Sequence, residues 1–240
     1  MNRVVEEISL KAWPAFESVN YRGWLMRFAN GYTKRANSVT VIDQVDLEIE
    51  EKITYCESQY LVRKQKPIFR LLSWTNPNRL DSKLAIQGYQ LIEPSLVMGL
   101  LLSDKSLNNV PNFNQESLNQ WLVAYHDLKG CKDEVSAIHR MILTKIESET
   151  LFASLKQDEK IVACAVGVLE NGYLGIFDLV TSQMHRRLGY GTAIIQGLLK
   201  WGINKGAFFS YIQVVQANIP ARNLYEKVGY KPMYEYWYRV

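Results

Sequence analysis

The sequence predicts an α+β fold built around a mixed sheet, and three observations support this class. The second half of the chain reads as helix, helix, three strands, helix, strand, helix and strand, which is not the regular alternation of a doubly wound sheet. Hydrophobic residues make up 48% and charged residues 22% of the 240 residues, a composition that supplies a packed core. The longest apolar run, 96–102, is far too short to span a membrane.

In the first half, turn signals and helical periodicity define the elements. The turn dipeptide Asn30-Gly31 separates two strands. Apolar residues at helical spacing, with acidic residues early where the helix dipole favours them, predict a helix that Pro67 terminates. The predicted elements are strands over 24–28 and 38–41, a helix over 45–63, a strand over 68–74, a short helix closed by Gly88 and a strand over 89–102. Asn and Pro residues favour a linker over 108–114.

In the second half, the signals for turns and helix ends are stronger. Asn171-Gly172 is a preferred dipeptide for a type I′ hairpin, Pro220 suits the first turn of a helix, and Gly229 suits the end of the same helix. Two amphipathic helices come first, and Val135 begins the apolar face of the second. The predicted elements that follow are strands over 150–156, 160–170 and 173–181, a helix over 190–204, a strand over 207–215, a helix over 220–228 and a strand over 234–240.

Charge and cysteine content exclude several classes of protein. Lys and Arg number 28 against 24 Asp and Glu, and a net charge of +4 is too mild for a dedicated nucleic-acid binder, although it suits an anionic cofactor. Cys56, Cys131 and Cys164 are far apart, so we expect neither a disulfide framework nor a metal site. The amino terminus carries acids where a signal peptide needs an apolar stretch, so we expect a cytoplasmic protein.

A glycine-containing turn between a strand and a helix, residues 186–191, carries the first candidate site. A Gly-x-Gly is expected by chance roughly 0.8 times in a chain with 14 Gly among 240 residues. The motif therefore indicates a site only because of its position between a strand and a helix. Backbone N–H groups at the start of a helix bind anions, and Gly189 and Gly191 lack the Cβ atoms that would hold a phosphate away. His185, Arg186 and Arg187 add positive charge. The alternative is a tight turn with solvated arginines.

A second motif after the next strand makes the pattern specific. Together the two motifs resemble those of the GNAT superfamily of acetyl-CoA-dependent N-acyltransferases, over residues 113–240. The matching positions are Arg186, Gly189 and Gly191 in the first motif and Asn218, Ala221, Leu224, Tyr225, Lys227, Gly229 and Tyr230 in the second. The resemblance implies the GNAT fold, with a central, mostly antiparallel sheet flanked by helices, and acetyl-CoA as co-substrate.

The resemblance also implies which residues hold the co-substrate. Backbone amides around the glycine turn would cradle the pyrophosphate, and the end of the preceding strand would pair with the pantetheine arm like an added strand. Asn218 would hold pantetheine or the strand end, or cap its helix, or both. The implied cofactor-binding residues are Leu179, Val180, Thr181, Arg186, Arg187, Leu188, Gly189, Tyr190, Gly191, Thr192 and Asn218.

Two side chains are the candidate catalytic groups. By resemblance, Tyr225 would be the general acid that protonates the leaving thiolate; the alternative is a core aromatic. Asp178 is the one carboxylate in the strand before the turn, and it would act as general base directly, through water, or only bond locally. The family often has an acid at this position or the one before, where this chain has Phe177. His185 is a weaker candidate base, and we assign no function to the remaining histidines, at positions 126 and 139, which lie on predicted helix faces.

Residues 24–39 are similar to the leading region of a subset of GNAT proteins in which a degenerate first domain precedes an intact second one. The resemblance implies a degenerate GNAT-like domain over 1–107 and a catalytic domain over 113–240. The helix ending at Gly88-Tyr89 echoes the one ending at Gly229-Tyr230, but the first half has no Arg-x-x-Gly-x-Gly. We therefore expect no second CoA site. Arg27, Arg35 and Asn37 form either part of an acceptor wall or a hydrogen-bonded hairpin between the domains.

The sequence thus predicts an N-acetyltransferase that moves an acetyl group to a primary amine in a ternary complex. The acceptor would be a small molecule or a peptide, with no nucleic-acid or membrane partner; monomer and homodimer stay open. Two alternatives are a CoA-binding sensor without transferase activity and a basic module that binds nucleic acid, against which the dispersed charge argues.

Overall fold

A computed structural model describes residues 1–43, 48–103, 112–130 and 133–240, without the side chains of 133–136. Seven α-helices and eleven strands lie within these residues. The helices are α1 (Asn2–Ala12), α2 (Ile49–Val62), α3 (Asn78–Ile86), α4 (Leu118–Lys129), α5 (Asp133–Thr144), α6 (Tyr190–Asn204) and α7 (Ile219–Val228). The strands are β1 (Glu17–Tyr21), β2 (Trp24–Phe28), β3 (Val39–Val41), β4 (Phe69–Leu72), β5 (Leu91–Leu101), β6 (Asn114–Gln115), β7 (Glu149–Gln157), β8 (Lys160–Glu170), β9 (Tyr173–Thr181), β10 (Phe209–Val215) and β11 (Lys231–Arg239).

All eleven strands join one sheet, in the order β1-β2-β3-β4-β11-β5-β10-β9-β8-β7-β6. Among these strands, β3 with β4 and β9 with β10 pair in parallel, and the other neighbours pair antiparallel. The predicted α+β class with a mixed sheet is confirmed.

The two halves of the chain exchange their last strands at the centre of this sheet. β11, from the second half, lies between β4 and β5, whereas β5, from the first half, lies between β11 and β10. The helices before these strands, α3 and α7, are each followed within two residues by a glycine with positive φ, +93° at Gly88 and +112° at Gly229. This correspondence supports the internal echo seen in the sequence. The division into domains over 1–107 and 113–240 stays a prediction.

Helices cover both faces of the sheet and enclose three hydrophobic clusters. One cluster unites α1, α4 and α5 with the face of the sheet that carries Phe177 and Tyr211. The opposite face is covered by α6 and α7, whose Ile194 and Tyr225 are buried there. In the first half, α2 and α3 cover strands β2 to β4. The face beneath α1, α4 and α5 is the one on which the candidate base lies.

Several predicted elements have the observed bounds, and others differ. The strands over 160–170 and 173–181 and the helix over 190–204 are as predicted, and Asn171 and Gly172 have the positive φ values, 50° and 79°, of a type I′ turn. Helix α1 and strand β1 were not predicted. The predicted start of the helix over 45–63 and most of the linker over 108–114 lie outside the described residues, as do Cys131 and the side chain of Val135.

Buried polar groups fasten α1 to the sheet. Arg70 and Glu6 are both fully buried and form a bidentate ion pair, and the Tyr234 hydroxyl donates to Glu6 Oε2 at 2.7 Å. Arg27, 2% exposed, donates to the carbonyl oxygen of Leu10 at 2.9 Å and also to that of Trp13. Such a network fixes the helix, because a buried charge is tolerated only when it is paired and hydrogen-bonded.

Candidate active site

The candidate site begins where the parallel strands β9 and β10 part. They pair over Tyr173–Ile176 and Phe209–Ile212, although β9 continues to Thr181 and β10 to Val215. Beyond this point no described strand occupies the β10 side of β9. The backbone of Leu179, Val180 and Thr181 therefore has an edge at which an extended ligand could add as a strand.

A bulge in β9 places Asp178 at this opening. The register with β8 shifts between Cys164 and Val166, and Asp178 has a φ of +49°, in the left-handed region. A bulge breaks the alternation of side chains, so that consecutive residues can face one side of the sheet. Phe177 is buried in the cluster beneath α1, α4 and α5, and the Asp178 carboxylate reaches α4 and α5 on that face.

The Asp178 carboxylate ends a chain of hydrogen bonds from two helices. Its Oδ2 lies 2.8 Å from Nε2 of His139, and its Oδ1 accepts a hydrogen bond from the Tyr125 hydroxyl at 3.3 Å. Nδ1 of His139 lies 3.1 Å from Nε2 of His126. His139 is fully buried, and its ring contacts three further aromatic rings. These rings belong to Trp13, Tyr32 and Trp121.

The direction of these bonds follows from the carboxylate. A carboxylate only accepts hydrogen bonds, so His139 donates through Nε2 and its Nδ1 accepts from Nε2–H of His126. Both nitrogens of His139 are thereby engaged. The two histidines and Asp178 do not form a metal site, and the described residues contain no group of three or more potential ligands arranged around a cation.

The amino terminus of α6 is open. Gly189 precedes the helix with a φ of +90°, no side chain caps the first turn, and a Cβ at position 189 would meet nothing within 4 Å. Arg186, Arg187 and Leu188 are exposed beside it. Uncapped N–H groups at the positive end of a helix dipole, flanked by cations, suit a phosphate.

Gly191 has a second role that the sequence did not indicate. A Cβ there would lie 3.0 Å from Leu224 Cδ2 and 3.8 Å from Thr181 Oγ1. The absence of a side chain thus allows α6 and α7 to approach closely. Substitutions of Gly191 would disturb this packing as well as the loop, so they do not test phosphate binding alone.

Helix α7 carries the candidate acid. Asn218 Oδ1 caps it by accepting from the Ala221 amide at 3.3 Å, which leaves its side-chain NH₂ available. Tyr225 is 6% exposed, and burial raises the pKa of its phenol to about 12. Its hydroxyl forms no hydrogen bond with a described residue, whereas that of the neighbouring Tyr230 bonds with Ser210 Oγ at 2.6 Å. Tyr225 is therefore protonated at neutral pH, and its hydroxyl is unengaged by these residues.

The remaining polar candidates have local partners. His185 Nδ1 lies 3.1 Å from Ser182 Oγ, and the Tyr190 hydroxyl donates to Gln157 Oε1 at 2.6 Å. Asn37 Oδ1 accepts from the amides of Ala29 and Gly31, at 3.0 and 3.2 Å. For Arg27 and Asn37 the hairpin interpretation holds. Arg35 also has a local partner, the Tyr236 side chain.

Arg35 faces the same cluster as the candidate base. Its guanidinium lies 5.9 Å from the centre of the Phe177 ring, next to Asp178 in the chain, and its buried Nε has no hydrogen-bond partner among the described residues. Part of the side chain is exposed. Arg35 thus remains a candidate for contact with an acceptor.

The first half offers a different surface at the corresponding helix. The first turn of α2 carries Glu50 and Glu51, and Glu48 precedes it. Arg22 pairs with Glu48 at 2.6 Å and with Glu51 at 3.2 Å. Carboxylates at this helix start repel a phosphate, which agrees with the expectation of a single CoA site.

Comparison with known proteins decides the family. The sequence profile of the family described as "Probable histone acetyltransferase Rv0428c C-terminal" matches residues 2–239. The chain belongs to this family. It is a GNAT acetyltransferase, and hence an acyltransferase enzyme, with the α+β fold that the sequence predicted.

Relatives of this acetyltransferase span its whole length. It is 28% identical over 249 residues to the uncharacterized N-acetyltransferase YobR of Bacillus subtilis (strain 168), covering 99% of this chain and 98% of YobR. A GCN5-related N-acetyltransferase from Kribbella flavida superposes with a TM-score of 0.77 at 14% identity, over 99% of this chain and 94% of that one. A tandem GNAT protein from the clavulanic acid biosynthesis pathway gives a TM-score of 0.65 at 11% identity, over 98% and 86% of the two chains.

In the part of the chain that the structure describes, no helix of this acetyltransferase has the length and apolar character needed to cross a membrane.

Three side chains at the candidate site were not predicted from the sequence. Tyr125, His126 and His139 contact Asp178 directly or through one another. The assignment of no function to the two histidines therefore needs revision, because they lie at the candidate base.

Proposed function

We propose that the enzyme transfers the acetyl group of acetyl-CoA to a primary amine by direct attack in a ternary complex. One observation supports this proposal: β9 and β10 part after Ile176 and Ile212, and beyond this point β9 continues through Asp178 to the open start of α6, whereas β10 continues to helix α7, which carries Tyr225. These supply an anion site, a base and an acid for one reaction.

The chain fits acetyl-CoA at the start of α6. Amides from Arg187 to Thr192 would bind the pyrophosphate, with Arg186 and Arg187 attracting it, and the open edge of β9 at 179–181 would pair with pantetheine. The Asn218 NH₂ group would donate to the same arm. When bound, the thioester supplies an electrophilic acyl carbon and a sulfur leaving group.

Asp178 would accept the proton of the attacking ammonium. A lysine-type amine has a pKa of about 10.4, so it is protonated at neutral pH and cannot attack until a base removes a proton. The side chain is 17% exposed, and among the described residues Oδ1 has only the long 3.3 Å contact with Tyr125, which leaves that oxygen able to accept from an ammonium or a bridging water.

Tyr225 would stabilise the leaving sulfur. Its pKa of about 12 keeps the phenol protonated, and it lies above the value of about 8.5 for a thiol. The phenol therefore donates a hydrogen bond to the developing thiolate more readily than a complete proton. This contribution arises in the transition state, which is where an interaction accelerates the reaction.

The first half would shape the acceptor side. It holds no second glycine turn, but it contributes β5 beside β10 and the segment from Tyr32 to Arg35 beside Phe177 and His139. We propose Arg35 as part of the acceptor wall, and a degenerate first domain over 1–107 as the unit that presents it.

Free-thiol release from acetyl-CoA with a panel of amines tests the proposal. The panel would hold free amino acids, spermidine and a lysine-rich peptide, the last because the family description names a histone acetyltransferase. Thermal shifts with CoA and with duplex DNA run alongside. Thiol release that depends on an amine, with a shift by CoA alone, is expected. A CoA shift without turnover on any amine would favour the sensor, and a DNA shift without a CoA shift would favour the nucleic-acid module.

A further inference from the structure

The hydrogen-bonded chain from His126 through His139 to Asp178 lies outside the roles assigned so far. It joins two helices to one bulge, because His126 belongs to α4, His139 to α5 and Asp178 to β9. Its distances, 3.1 Å and 2.8 Å, are those of ordinary hydrogen bonds. Three residues from separate elements are thus joined by hydrogen bonds between their side chains.

The order of donors along these hydrogen bonds gives Oδ2 of Asp178 a strong hydrogen bond and leaves Oδ1 with a weaker one. His126 donates from Nε2 to Nδ1 of His139, which fixes the tautomer that carries its proton on Nε2. That proton is donated to Oδ2 of Asp178 at 2.8 Å, while Oδ1 has the weaker contact with Tyr125 at 3.3 Å. Oδ1 is therefore the oxygen better placed to accept a proton.

The backbone at Asp178 explains why the carboxylate needs support. A φ of +49° is unfavourable for a residue with a Cβ, although Asp and Asn tolerate it better than most. A residue kept in such a conformation is held by its surroundings, and such residues concentrate at functional sites. Here the holding contacts are the hydrogen bonds from His139 and Tyr125.

The described neighbours of the two histidines come from several elements. His139 meets Asp178 from β9, His126 and Tyr125 from α4, and the rings of Trp13 and Tyr32. His126 is 9% exposed and senses the charges of Asp127 and Arg140. Burial, and then the neighbouring His139, lower the pKa of His126 below its usual 6.5, so it is neutral at pH 7.

We infer that His139 and His126 are positioning residues for this acetyltransferase, which hold the Asp178 carboxylate so that Oδ1 accepts the proton of the acceptor ammonium. The inference rests on the proposed function, since it assumes that Asp178 is the base. His139 acts on the carboxylate directly, and His126 acts through His139 by fixing its tautomer. The proton moves from the ammonium nitrogen to Oδ1, and both histidines keep their protons.

Two substitutions of His126 separate this role from simple packing. His126→Gln keeps a side-chain N–H donor that can reach Nδ1 of His139, whereas His126→Leu keeps apolar bulk and loses the donor. We expect His126→Leu to lower kcat by roughly tenfold, a part of the 10²-fold or more that a positioned base contributes, and to leave the KM for acetyl-CoA unchanged. His126→Gln should retain most of kcat. Lys129→Ala, an exposed change on the same helix, is the matched control.

The histidine tautomers provide a readout besides activity. The chain has three histidines, so the imidazole nitrogens are readily assigned by ¹⁵N NMR. The proton on Nε2 of His139 should be present and strongly deshielded in the wild type and in His126→Gln, and it should move upfield in Asp178→Asn. Asn tolerates a positive φ, so this variant is expected to fold.

Each outcome bears on one proposal. Three outcomes would overturn the positioning role: the same kcat in the wild type and both His126 variants, equal losses of kcat in both variants, or a His139 that carries its proton on Nδ1. A wild-type enzyme that releases no thiol with any amine would instead refute the proposed function. His139→Gln, whose side-chain N–H can still donate to Asp178, tests the buried position: a higher kcat than that of His126→Leu supports the direct contact, and an equal or lower kcat in the folded variant would overturn it.

Discussion

Removal of the Tyr225 hydroxyl is the sharpest single test of the active site. Tyr225→Phe keeps a ring that is 6% exposed and packed among α6 and α7 residues, and it removes a hydroxyl that bonds to no described residue. We therefore expect the free energy of unfolding to change by less than about 0.5 kcal/mol. A hydrogen bond to a charged partner contributes about 1.5–3 kcal/mol, so kcat should fall by roughly 10- to 150-fold.

Tyr230→Phe is the matched control for this experiment. Tyr230 lies 6.3 Å from Tyr225 between ring centres, in the same hydrophobic cluster, and its hydroxyl bonds with Ser210 at 2.6 Å. Loss of that buried bond should cost about 1 kcal/mol and lower Tm by about 2–4 °C, with normal turnover.

The two substitutions should therefore have opposite effects. Tyr225→Phe should lower kcat with little change in Tm, and Tyr230→Phe should lower Tm with little change in kcat. Thiol release under saturating acetyl-CoA and amine gives kcat, and thermal unfolding gives Tm. Two results would show that Tyr225 is a core residue: full activity of Tyr225→Phe, or a fall in its Tm like that of Tyr230→Phe with normal kcat. Either result would favour a CoA-binding sensor over a transferase.

Three further predictions concern the co-substrate and the fold. Arg186→Glu should weaken CoA binding by roughly tenfold at low salt and by less at 0.5 M salt, because screening weakens an exposed charge; calorimetry checks this, with Lys129→Glu, on the opposite face of the sheet, as the control. Calorimetry of the wild type should give one CoA per chain, since the acidic first turn of α2 repels a phosphate; two per chain would contradict our reading of the first half. Glu6→Gln leaves its arginine partner buried without a counter-charge and should cost about 3–5 kcal/mol in urea unfolding, whereas Glu7→Gln, which loses only an exposed pair, should cost less than about 1 kcal/mol.

The second half was predictable because its signals are local. The type I′ dipeptide at Asn171, the first-turn Pro220 and the terminal Gly229 each act on the residues beside them, and they set the ends of β8, β9 and α7. The glycine turn before α6 was found in the same way. Local signals therefore gave the candidate anion site, whereas Tyr225 became the candidate acid only through the resemblance of its motif to that of the GNAT superfamily.

What the sequence could not show depends on partners far away in the chain. Helix α1 buries Glu6, and this acid is stable there only because Arg70, 64 residues away, pairs with it. Asp178 and His139 are 39 residues apart, and their bond requires both the β9 bulge and the packing of α5. Each histidine alone looked like an ordinary residue on a helix face; the signal that could have found them was their place on the buried faces of adjacent helices.

The exchange of β5 and β11 has a consequence for how the chain is made. β11 begins at Lys231, about 130 residues after β5 ends, and it fills the gap between β4 and β5. Until the ribosome has delivered β10 and β11, the nascent first half keeps one edge of β4 and both edges of β5 unpaired, and such edges template aggregation. Pairing between strands so distant in sequence also forms slowly. Newly synthesised chains should therefore depend on chaperones that shield strand edges, and both halves should close in a single late step.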